Sequence, residues 1–216
     1  MTPKEISIVI ADDHPLLLDG LYKELDANDF NIVGKAVDGK QALGLITTYK
    51  PDLALLDIDM PILTGFDVVK RAKEKGMNTK FIMLSYHKEV DYVTKAKALQ
   101  INGYLLKEDS FLEIKRCISS VLKGETYFSP SFDNLSLQNA SEELRKIQFL
   151  TPSEVTILKL IASQMSNAEI ADSLSVSIRT IEKHRSNIIS KLDIDGGTNA
   201  LTNWTLVNKN LIEGIT

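Results

Sequence analysis

Residues 53–61 read Leu-Ala-Leu-Leu-Asp-Ile-Asp-Met-Pro, an apolar run that ends in a carboxylate and continues into a turn. A short apolar run bounded by turn residues is typical of a strand that is buried on both faces. We therefore predict a strand over Leu53–Asp57, which places the carboxylate of Asp57 at the carboxyl end of that strand.

The same pattern recurs on both sides of this strand. From Glu5 to Lys123, short runs rich in β-branched residues alternate with longer segments in which apolar residues have helical spacing. Such alternation predicts a doubly wound α/β fold, with helices covering five parallel strands in the order 2-1-3-4-5. The predicted strands are Ile6–Ala11, Asn31–Ala36, Leu53–Asp57, Phe81–Ser85 and Gly103–Leu106.

Apolar stripes on two predicted helices can each cover one face of this sheet. The stripes consist of Leu17, Leu18, Leu21 and Leu25 in the first helix and of Ile114, Ile118, Val121 and Leu122 in the last. Cys117 falls within the second stripe, so we predict a buried structural thiol.

Length and composition favour two domains in a cytoplasmic protein. A chain of 216 residues, of which 44% are hydrophobic, can form two cores, since domains typically contain about 100 to 150 residues. The chain has no run of about 18 uncharged apolar residues, and residues 1–5 lack the pattern of a secretory signal, so we expect no association with a membrane. The net charge of -4 argues against nonspecific nucleic-acid binding by the whole surface.

A polar segment divides the chain. Periodicity fades over residues 124–148, where we predict a linker with one helical turn near Glu142–Lys146. This linker would separate a first domain at residues 1–123 from a second domain at residues 149–216.

The second domain is predicted to be all-α, with four helices. Thr151–Glu154 and Ser166–Glu169 have the pattern of capping boxes that start the first two helices. Ser177 caps the third helix, and the fourth runs from about Asn199 to Ile212.

The third of these helices is locally basic. Residues 177–192 contain four cations and one acid, a net charge of +3 in an otherwise acidic chain. We expect an inner face of Ile178, Ile181, Ile188 and Leu192 and an outer face of Arg179, Glu182, Lys183, Ser186 and Ser190. A face that mixes cations with small polar residues suits a helix-turn-helix that enters the major groove of DNA. In isolation, the same face could also be a solvated surface beside a packed core.

Polar side chains follow four of the five predicted strands. The carboxyl ends of parallel strands meet near the point at which the strand order reverses, so these side chains should lie close together. They are Asp12, Asp13, Asp57, Ser85 and Lys107. Neighbouring carboxylates repel each other by roughly 4 kcal/mol per pair at about 4 Å, and a hard divalent cation such as Mg2+ relieves that repulsion.

These residue types suit metal-assisted phosphorylation of an aspartate. The Asp57 carboxylate would attack phosphorus and form an aspartyl phosphate. Lys107 and Mg2+ would neutralise charge on the phosphoryl oxygens, and the Ser85 hydroxyl would donate a hydrogen bond to one of them.

Each signal also has a simpler interpretation when it is taken alone. Asp12-Asp13 before Pro15 could cap a helix, and Asp57 could be a residue of the turn after its strand. His14 is best interpreted as a residue at the start of a helix. The joint occurrence of the acidic, hydroxyl and basic residues in strand order favours the phosphoryl site.

Glu5–Lys123 resembles the receiver domain of two-component response regulators, which has a flavodoxin-like fold. The motifs are the acidic pair, Asp57–Gly65 with its Met60-Pro61 and Thr64-Gly65, then Ser85 and Tyr104–Lys107. This resemblance implies that a histidine kinase phosphorylates Asp57.

The resemblance also assigns roles around that aspartate. Asp13, Asp57 and the backbone carbonyl of Asp59 would hold Mg2+, with Asp12 assisting through water. Ser85 would move towards the phosphoryl group while Tyr104 changes its rotamer. Such a domain catalyses only its own phosphorylation and dephosphorylation, so the chain is not expected to be an enzyme in the usual sense.

Leu150–Leu211 resembles the C-terminal domain of LuxR-type regulators, and the two resemblances together indicate the NarL/FixJ class. The motifs are Leu150–Glu154, Asn167–Ala171 and Thr180–His184. The resemblance implies that the third helix reads double-stranded promoter DNA. It also implies that a homodimer forms on phosphorylation or on DNA, with RNA polymerase as a further partner. The expected DNA contacts are Ser177, Arg179, Thr180, Lys183, Arg185, Ser186, Asn187 and Lys191, and the expected dimer contacts are Leu201, Trp204 and Val207.

Four residues depart from these families. Tyr86 stands where a small residue is usual, and Glu108 follows Lys107 where proline is common. Asp59 adds a further acid near the site, and Glu182 stands where many relatives have lysine. The last departure shifts the expected phosphate contacts to the cations around it.

The sequence thus predicts a transcription regulator that is controlled by aspartyl phosphorylation. Two alternatives remain open. One is an aspartate-nucleophile phosphatase that uses the same carboxylates and Mg2+. The other is a phosphorylation-dependent protein-interaction module that does not bind DNA.

Overall fold

A computed structural model of the chain describes residues 2–132, 142, 144–197 and 199–213. The chain divides into two compact units. The first unit comprises residues 1–88 and 99–133, and the second comprises residues 89–98 and 134–216.

A parallel sheet with strand order β2-β1-β3-β4-β5-β6 forms the centre of the first unit. The strands are β1 (Ser7–Ala11), β2 (Asn31–Ala36), β3 (Leu53–Asp57), β4 (Lys80–Ser85), β5 (Gly103–Leu106) and β6 (Tyr127–Phe128). The helices from Pro15 to Leu122 are α1 (Pro15–Ala27), α2 (Gly39–Tyr49), α3 (Gly65–Glu74), α4 (Val90–Ala98) and α5 (Phe111–Leu122). The predicted doubly wound α/β fold and the order of its first five strands are confirmed.

The sixth strand departs from the prediction of five strands. Tyr127 pairs with Gly103 and Phe128 with Tyr104 at the edge of β5, within residues that the sequence analysis assigns to a linker. A strand of two residues is too short for alternation to distinguish it from a loop.

The core of the first unit lies between the sheet and the helices that cover it. Every residue of β3 is buried, as expected for a strand covered on both faces. Leu18 and Leu25 are buried as predicted, but Leu17 is 37% exposed, because consecutive helical residues are about 100° apart and only part of a leucine run can face the sheet. Cys117 is fully buried, and burial raises the pKa of its thiol to about 12, as expected for a structural cysteine.

The C-terminal part of the second unit is helical. Its helices are α6 (Pro152–Ala162), α7 (Asn167–Ser173), α8 (Ile178–Leu192), α9 (Ala200–Val207) and α10 (Lys209–Glu213), and residues 144–148 are also helical. The predicted fourth helix is interrupted at Asn208, where the side-chain amide donates a hydrogen bond to Trp204 O at 3.0 Å. The predicted caps are confirmed, since Thr151, Ser166 and Ser177 accept hydrogen bonds from backbone amides at the starts of α6, α7 and α8.

Among the described residues, no helix combines the length and apolar character that crossing a membrane requires.

Candidate functional site

The predicted phosphoryl-site residues meet at the carboxyl edge of the sheet. Asp12 and Asp13 follow β1, Asp57 ends β3, Ser85 ends β4 and Lys107 follows β5. Because β3 lies between β1 and β4, Asp57 occupies the centre of this edge, where ligands gather in open parallel sheets.

Lys107 bridges two carboxylates in this group. Its Nζ lies 2.9 Å from Asp12 Oδ2 and 3.0 Å from Asp57 Oδ2, and the three side chains are 6%, 6% and 2% exposed. The Lys107 amide also donates a hydrogen bond to Ser85 O at 2.8 Å, which ties the end of β5 to the end of β4. The ammonium group is thus held beside the central aspartate by backbone as well as charge.

Burial and charge act in opposite directions on these groups. Burial raises the pKa of Asp57, and the adjacent Lys107 ammonium only partly offsets it. Burial would lower the pKa of Lys107, but the carboxylates of Asp12 and Asp57 outweigh this effect, so its pKa lies above the usual value. Lys107 therefore stays positively charged at neutral pH.

The acidic group also fits a divalent cation. Asp12, Asp13, His14 and Asp57 each offer a ligand atom, and these atoms all lie within 4.8 Å of one another. Asp13 Oδ1 and Asp57 Oδ2 are buried carboxylate oxygens, the type of ligand that Mg2+ prefers.

His14 and Asp59 border the acidic group in different ways. His14 precedes α1, as predicted, and its exposed ring has Nδ1 2.8 Å from Asp13 Oδ1. The Asp59 side chain does not join the group, because its carboxylate is 60% exposed and lies 2.7 Å from His87 Nε2. Any metal contact of Asp59 would therefore come from its backbone carbonyl.

The two predicted switch residues both contact the backbone of His87. Ser85 is fully buried, and its Oγ accepts a hydrogen bond from His87 N at 3.0 Å. Tyr104 is also fully buried, and its hydroxyl donates to His87 O at 3.1 Å. His87 could not be predicted from the sequence, because it contacts Ser85 and Tyr104 through its backbone, and backbone contacts do not depend on the type of side chain.

Two residues that depart from the family pattern flank Lys107. The Lys107 Nζ lies 5.5 Å from the centre of the Tyr86 ring, a cation–π distance, although that ring is 62% exposed. Glu108 forms an exposed ion pair with Lys88, at 2.5 Å. Both contacts lie on the loops that border the site.

The backbone around Asp57 leaves no room for a side chain at Gly65. The Gly65 amide donates to Ile58 O at 2.9 Å, and a Cβ at this position would lie 2.3 Å from Asp57 O. Gly65 therefore allows α3 to start directly beside the phosphoryl site.

Helix α8 exposes most of the predicted DNA contacts. Ser177, Arg179, Lys183, Ser186 and Asn187 are exposed, and Thr180 is half-buried. They form a surface of cations and small polar groups within one helix and its cap.

Two predicted DNA contacts on α8 bind other helices of the second unit. Arg185 Nη2 donates to Thr202 Oγ1 at 3.0 Å, and Lys191 Nζ lies 2.7 Å from Glu154 Oε2. Glu154 is 3% exposed, so Lys191 neutralises a buried carboxylate. Charge pattern alone could not distinguish these cations from the exposed ones.

The apolar predictions for this unit need two corrections. Ile178 was expected on the inner face but is 49% exposed, because it is the first residue of α8 and lies beyond the core that buries Ile181 and Ile188. Leu201 was expected at a dimer interface but is 1% exposed within the core, so it cannot contact a partner in this conformation. Trp204 packs partly against the same core, whereas Val207 is 67% exposed.

Comparisons with known proteins match both parts of the chain. Residues 8–119 match the model of the response regulator receiver domain, and residues 148–202 match that of the bacterial regulatory proteins of the luxR family. The transcriptional regulatory protein MctR of Rhizobium johnstonii is 35% identical over 192 residues, which cover 88% of each chain. The response regulator protein VraR of Staphylococcus aureus is 30% identical over 91% of this chain and 94% of its own. The structure of the two-component response regulator RcsB in complex with DNA has a TM-score of 0.57 and 26% identity, and covers 94% of this chain and 98% of RcsB.

Proposed function

Because this chain belongs to the response regulators that join a receiver domain to a LuxR-type regulatory domain, we propose that it is a DNA-binding transcription regulator activated by phosphorylation of Asp57. The observation that carries the proposal is the buried triad in which Lys107 lies within 3.0 Å of Asp12 and Asp57. Residues 1–123 are proposed as the receiver domain, 124–148 as the linker and 149–216 as the DNA-binding domain, although β6 extends the sheet beyond residue 123.

The triad prepares Asp57 for attack on a phosphoryl group. A bond forms between an Asp57 oxygen and phosphorus as the bond to the donor nitrogen of a histidine kinase breaks. Lys107 remains charged and stabilises the negative charge of the transferred group, and Ser85 supplies a hydroxyl from the adjacent strand. The only phosphoryl transfer proposed for the chain is to and from its own aspartate.

A Mg2+ ion is part of this proposal. Asp13, Asp57 and the backbone carbonyl of Asp59 would hold it, and Asp12 would assist through water. When bound, Mg2+ would neutralise charge on the phosphoryl oxygens. The support comes from the buried oxygens of Asp13 and Asp57 and from the four ligand atoms of the acidic group, which all lie within 4.8 Å of one another.

We propose that α8 enters the major groove of double-stranded promoter DNA. Arg179 and Lys183 are assigned to phosphates and guanine edges, and Ser177, Thr180, Ser186 and Asn187 to close polar contacts. Arg185 and Lys191 are assigned mainly to holding α8 in place, because each has a partner on another helix. The likeness to RcsB, which was solved with DNA, supports this assignment.

A homodimer would bind two half-sites about one DNA turn apart, with Val207 as the most exposed of the predicted dimer contacts. Histidine kinase and RNA polymerase complete the proposed partners. The name of MctR, a transcriptional regulatory protein, supports this role in transcription.

The acceptor residue can be tested by intact-mass measurement. Incubation with acetyl phosphate and Mg2+ should add the mass of one phosphoryl group to the chain and to the control Asp19→Asn, whose exposed carboxylate lies on α1. Asp57→Asn should gain no mass. Labelling of Asp57→Asn at the normal rate would refute the acceptor assignment.

The DNA-binding role can be tested by selection from random double-stranded DNA. We expect the chain to enrich a related set of sequences, and enrichment should increase after phosphorylation. Failure to enrich any sequence would favour the protein-interaction module, whereas steady turnover of a generic phosphoester would favour the phosphatase.

A further inference from the structure

His184 is a half-buried histidine on α8 to which the proposed function assigns no role. It follows Lys183, a proposed DNA contact, and lies one helical turn before Ile188, which is fully buried. Because residues three or four positions apart share a face of a helix, His184 also lies beside Thr180 and Asn187. The ring therefore lies at the border between the buried face of α8 and the surface proposed to bind DNA.

The two ring nitrogens of His184 have different surroundings. Nδ1 is enclosed by protein and has no hydrogen-bond partner within the described part of the chain. Buried polar atoms nearly always have a partner, so this nitrogen needs a physical explanation. Ile181 and Ile188, one turn to either side, are both fully buried and make this face of α8 apolar. Nδ1 thus lies on the packed side of the helix.

The surroundings of Nδ1 decide which nitrogen of His184 carries the proton. A neutral imidazole has one N–H donor and one acceptor nitrogen. In proteins, a buried N–H without an acceptor is rarer than a buried acceptor without a full set of donors. The neutral ring of His184 is therefore protonated on Nε2, and Nδ1 is the unprotonated nitrogen.

The protonated nitrogen lies on the accessible side of the ring. Nε2 is at the far end of an imidazole, on the side opposite to Nδ1. Since His184 is half-buried although Nδ1 is enclosed, its accessible surface belongs to the other atoms of the side chain. Nε2–H thus provides an uncharged hydrogen-bond donor on the flank of α8 that carries Thr180 and Asn187.

The position of His184 on this flank indicates the acceptor to which Nε2–H would donate. When a helix lies in the major groove, the centre of its outer face meets base edges, and its flanks meet the phosphates that line the groove. Arg179 and Ser186 lie near the centre of the outer face of α8, whereas His184 lies beside the buried face. A phosphate oxygen accepts hydrogen bonds from neutral as well as charged donors.

We propose that His184 binds a phosphate oxygen of DNA through Nε2–H, while Nδ1 remains unprotonated within the second unit. This inference rests on the proposed function, because it takes α8 as the helix that binds DNA. The contact orients α8 in the groove and carries no sequence information. It differs from a contact of Lys183, because a neutral donor adds affinity without releasing a counterion.

Two substitutions place a hydrogen-bonding group at one ring position or the other. The side-chain amide of glutamine can reach the position of Nε2, whereas that of asparagine reaches only the position of Nδ1. His184→Gln should therefore bind selected DNA within about threefold of the unchanged chain, and His184→Asn should bind about tenfold more weakly, as expected for loss of a hydrogen bond to a charged group. The measurement is fluorescence anisotropy with the DNA selected from random sequences.

His184→Leu removes both ring nitrogens and separates a neutral phosphate contact from other contacts. Its affinity should fall by the same factor for selected and for unrelated DNA, because a phosphate contact does not depend on sequence. The slope of log affinity against log salt concentration should not change, because the lost group is uncharged. Lys183→Ala is the matched contrast, since it removes a cation from the neighbouring position and should lower that slope. Urea unfolding followed by Trp204 fluorescence verifies that each variant is folded.

Nitrogen NMR of the unchanged chain tests the position of the proton. The ring signals of His184 are those that are absent from His184→Gln. At about pH 8, where histidine is ordinarily neutral, Nε2 should give the signal of a protonated nitrogen and Nδ1 that of an unprotonated one. Selected DNA should slow the exchange of the Nε2 proton with water, an effect that a purely structural histidine would not show. A proton on Nδ1 would overturn the inference.

The outcomes distinguish this inference from the proposed function. If the chain binds DNA but His184→Asn and His184→Leu keep the full affinity, the inference is overturned and the DNA-binding role stands. If His184→Asn binds normally and His184→Gln does not, Nδ1 makes the contact and the proposed orientation is wrong. A loss of affinity confined to selected DNA would place the contact on a base and would also overturn the inference. If the chain selects no DNA at all, the proposed function fails and the inference fails with it.

Discussion

Lys107 holds together two carboxylates that would otherwise repel each other. Asp12 and Asp57 lie on neighbouring strands, and the ammonium group within 3.0 Å of both keeps the pair stable in a buried setting. The same group faces the point at which a phosphoryl group would arrive. One side chain therefore stabilises the resting site and would stabilise the charge that develops during transfer.

Lys107→Ala should slow phosphorylation, and it should also destabilise the first unit, because it leaves two buried carboxylates without their cation. Loss of a charged group aimed at the reacting centre typically lowers a rate by about 100-fold or more. The measurement is the initial rate of phosphoryl incorporation from acetyl phosphate in the presence of Mg2+. Lys88→Ala is the control, because Lys88 is an exposed cation in an ion pair with Glu108 and should label at nearly the normal rate. A Lys107→Ala rate within twofold of the normal rate would contradict the role of Lys107.

At the scale of elements, an ion pair between the buried Glu154 and the half-buried Lys191 joins α6 to α8. Glu154 closes the capping box of α6 with Thr151, and the same carboxylate accepts from Lys191 near the end of α8. Burial would raise the pKa of Glu154, but the hydrogen bonds from Lys191 and Thr151 outweigh it and hold the pKa below the ordinary value of 4.5. The position of α8 thus depends on an ionised group at the start of another helix.

Loss of this pair should destabilise the second unit. Lys191→Met should lower its free energy of unfolding by about 1–3 kcal/mol at neutral pH, because it leaves a buried carboxylate without its cation. Urea unfolding followed by the fluorescence of Trp204, the only tryptophan, measures this loss. The exposed cation Lys183 on the same helix provides the control, and Lys183→Met should change stability by less than about 0.5 kcal/mol. Equal effects of the two substitutions on the free energy of unfolding would show that the ion pair does not stabilise the second unit.

Because the pKa of Glu154 is lowered, the stability of the second unit should depend on pH in a defined direction. The folded state binds the Glu154 proton more weakly than the unfolded state does, so the stabilisation is fully present above pH 4.5 and is lost as the pH falls below it. Glu154→Gln should make the unfolding free energy less dependent on pH in that acidic range. An unchanged dependence would mean that other carboxyl groups govern acid unfolding.

The elements differ in how far the sequence could predict them. The bounds of β2, β3 and β5 were predicted correctly, and β3 and β5 are apolar runs between clear breaks. Strand β6 was missed because two residues carry no periodicity. The pattern of α8 identified its buried centre, but not the exposure of Ile178 at its end, where the core no longer continues.

In the functional sites, contacts that follow from the fold could be predicted from the sequence, whereas contacts set by the packing of distant segments could not. Asp12, Asp57 and Lys107 were predicted to lie close together because each lies at the carboxyl end of a strand, and the fold brings those ends together. The partner of Lys191 could not be predicted, because Glu154 lies 37 residues away and helix packing decides which cation reaches it. The backbone contacts of His87 could not be predicted for a similar reason.

At the scale of the whole molecule, the charge is unevenly distributed. The chain carries a net charge of -4, whereas residues 177–192 carry +3. A protein of this kind should bind DNA through a small number of local phosphate contacts and not through its entire surface. Its affinity for DNA should therefore depend on individual cations of α8.

Lys183→Ala should reduce the salt dependence of DNA binding. Each phosphate contact that is lost lowers the slope of log affinity against log salt concentration by about 1, and weakens binding at all sequences alike. Fluorescence anisotropy of a selected DNA at several salt concentrations measures the slope. Lys183→Arg retains the charge and should retain the slope. Identical slopes for all three proteins would exclude Lys183 from the interface.

Phosphorylation and DNA binding should also be coupled in both directions. If a phosphoryl group at Asp57 raises the affinity for DNA by some factor, specific DNA must raise the affinity for a phosphoryl group by the same factor, because coupling free energy is reciprocal. Beryllofluoride, a noncovalent mimic of the phosphoryl group, allows both sides to be measured as equilibria in the presence of Mg2+. We expect beryllofluoride to lower the dissociation constant of the protein for selected DNA by a certain factor. Selected DNA should then lower the dissociation constant of the protein for beryllofluoride by the same factor. Asp57→Asn should abolish beryllofluoride binding while leaving the weak resting affinity for DNA. If the chain binds both DNA and beryllofluoride, but beryllofluoride does not change the affinity for DNA, the two units act independently.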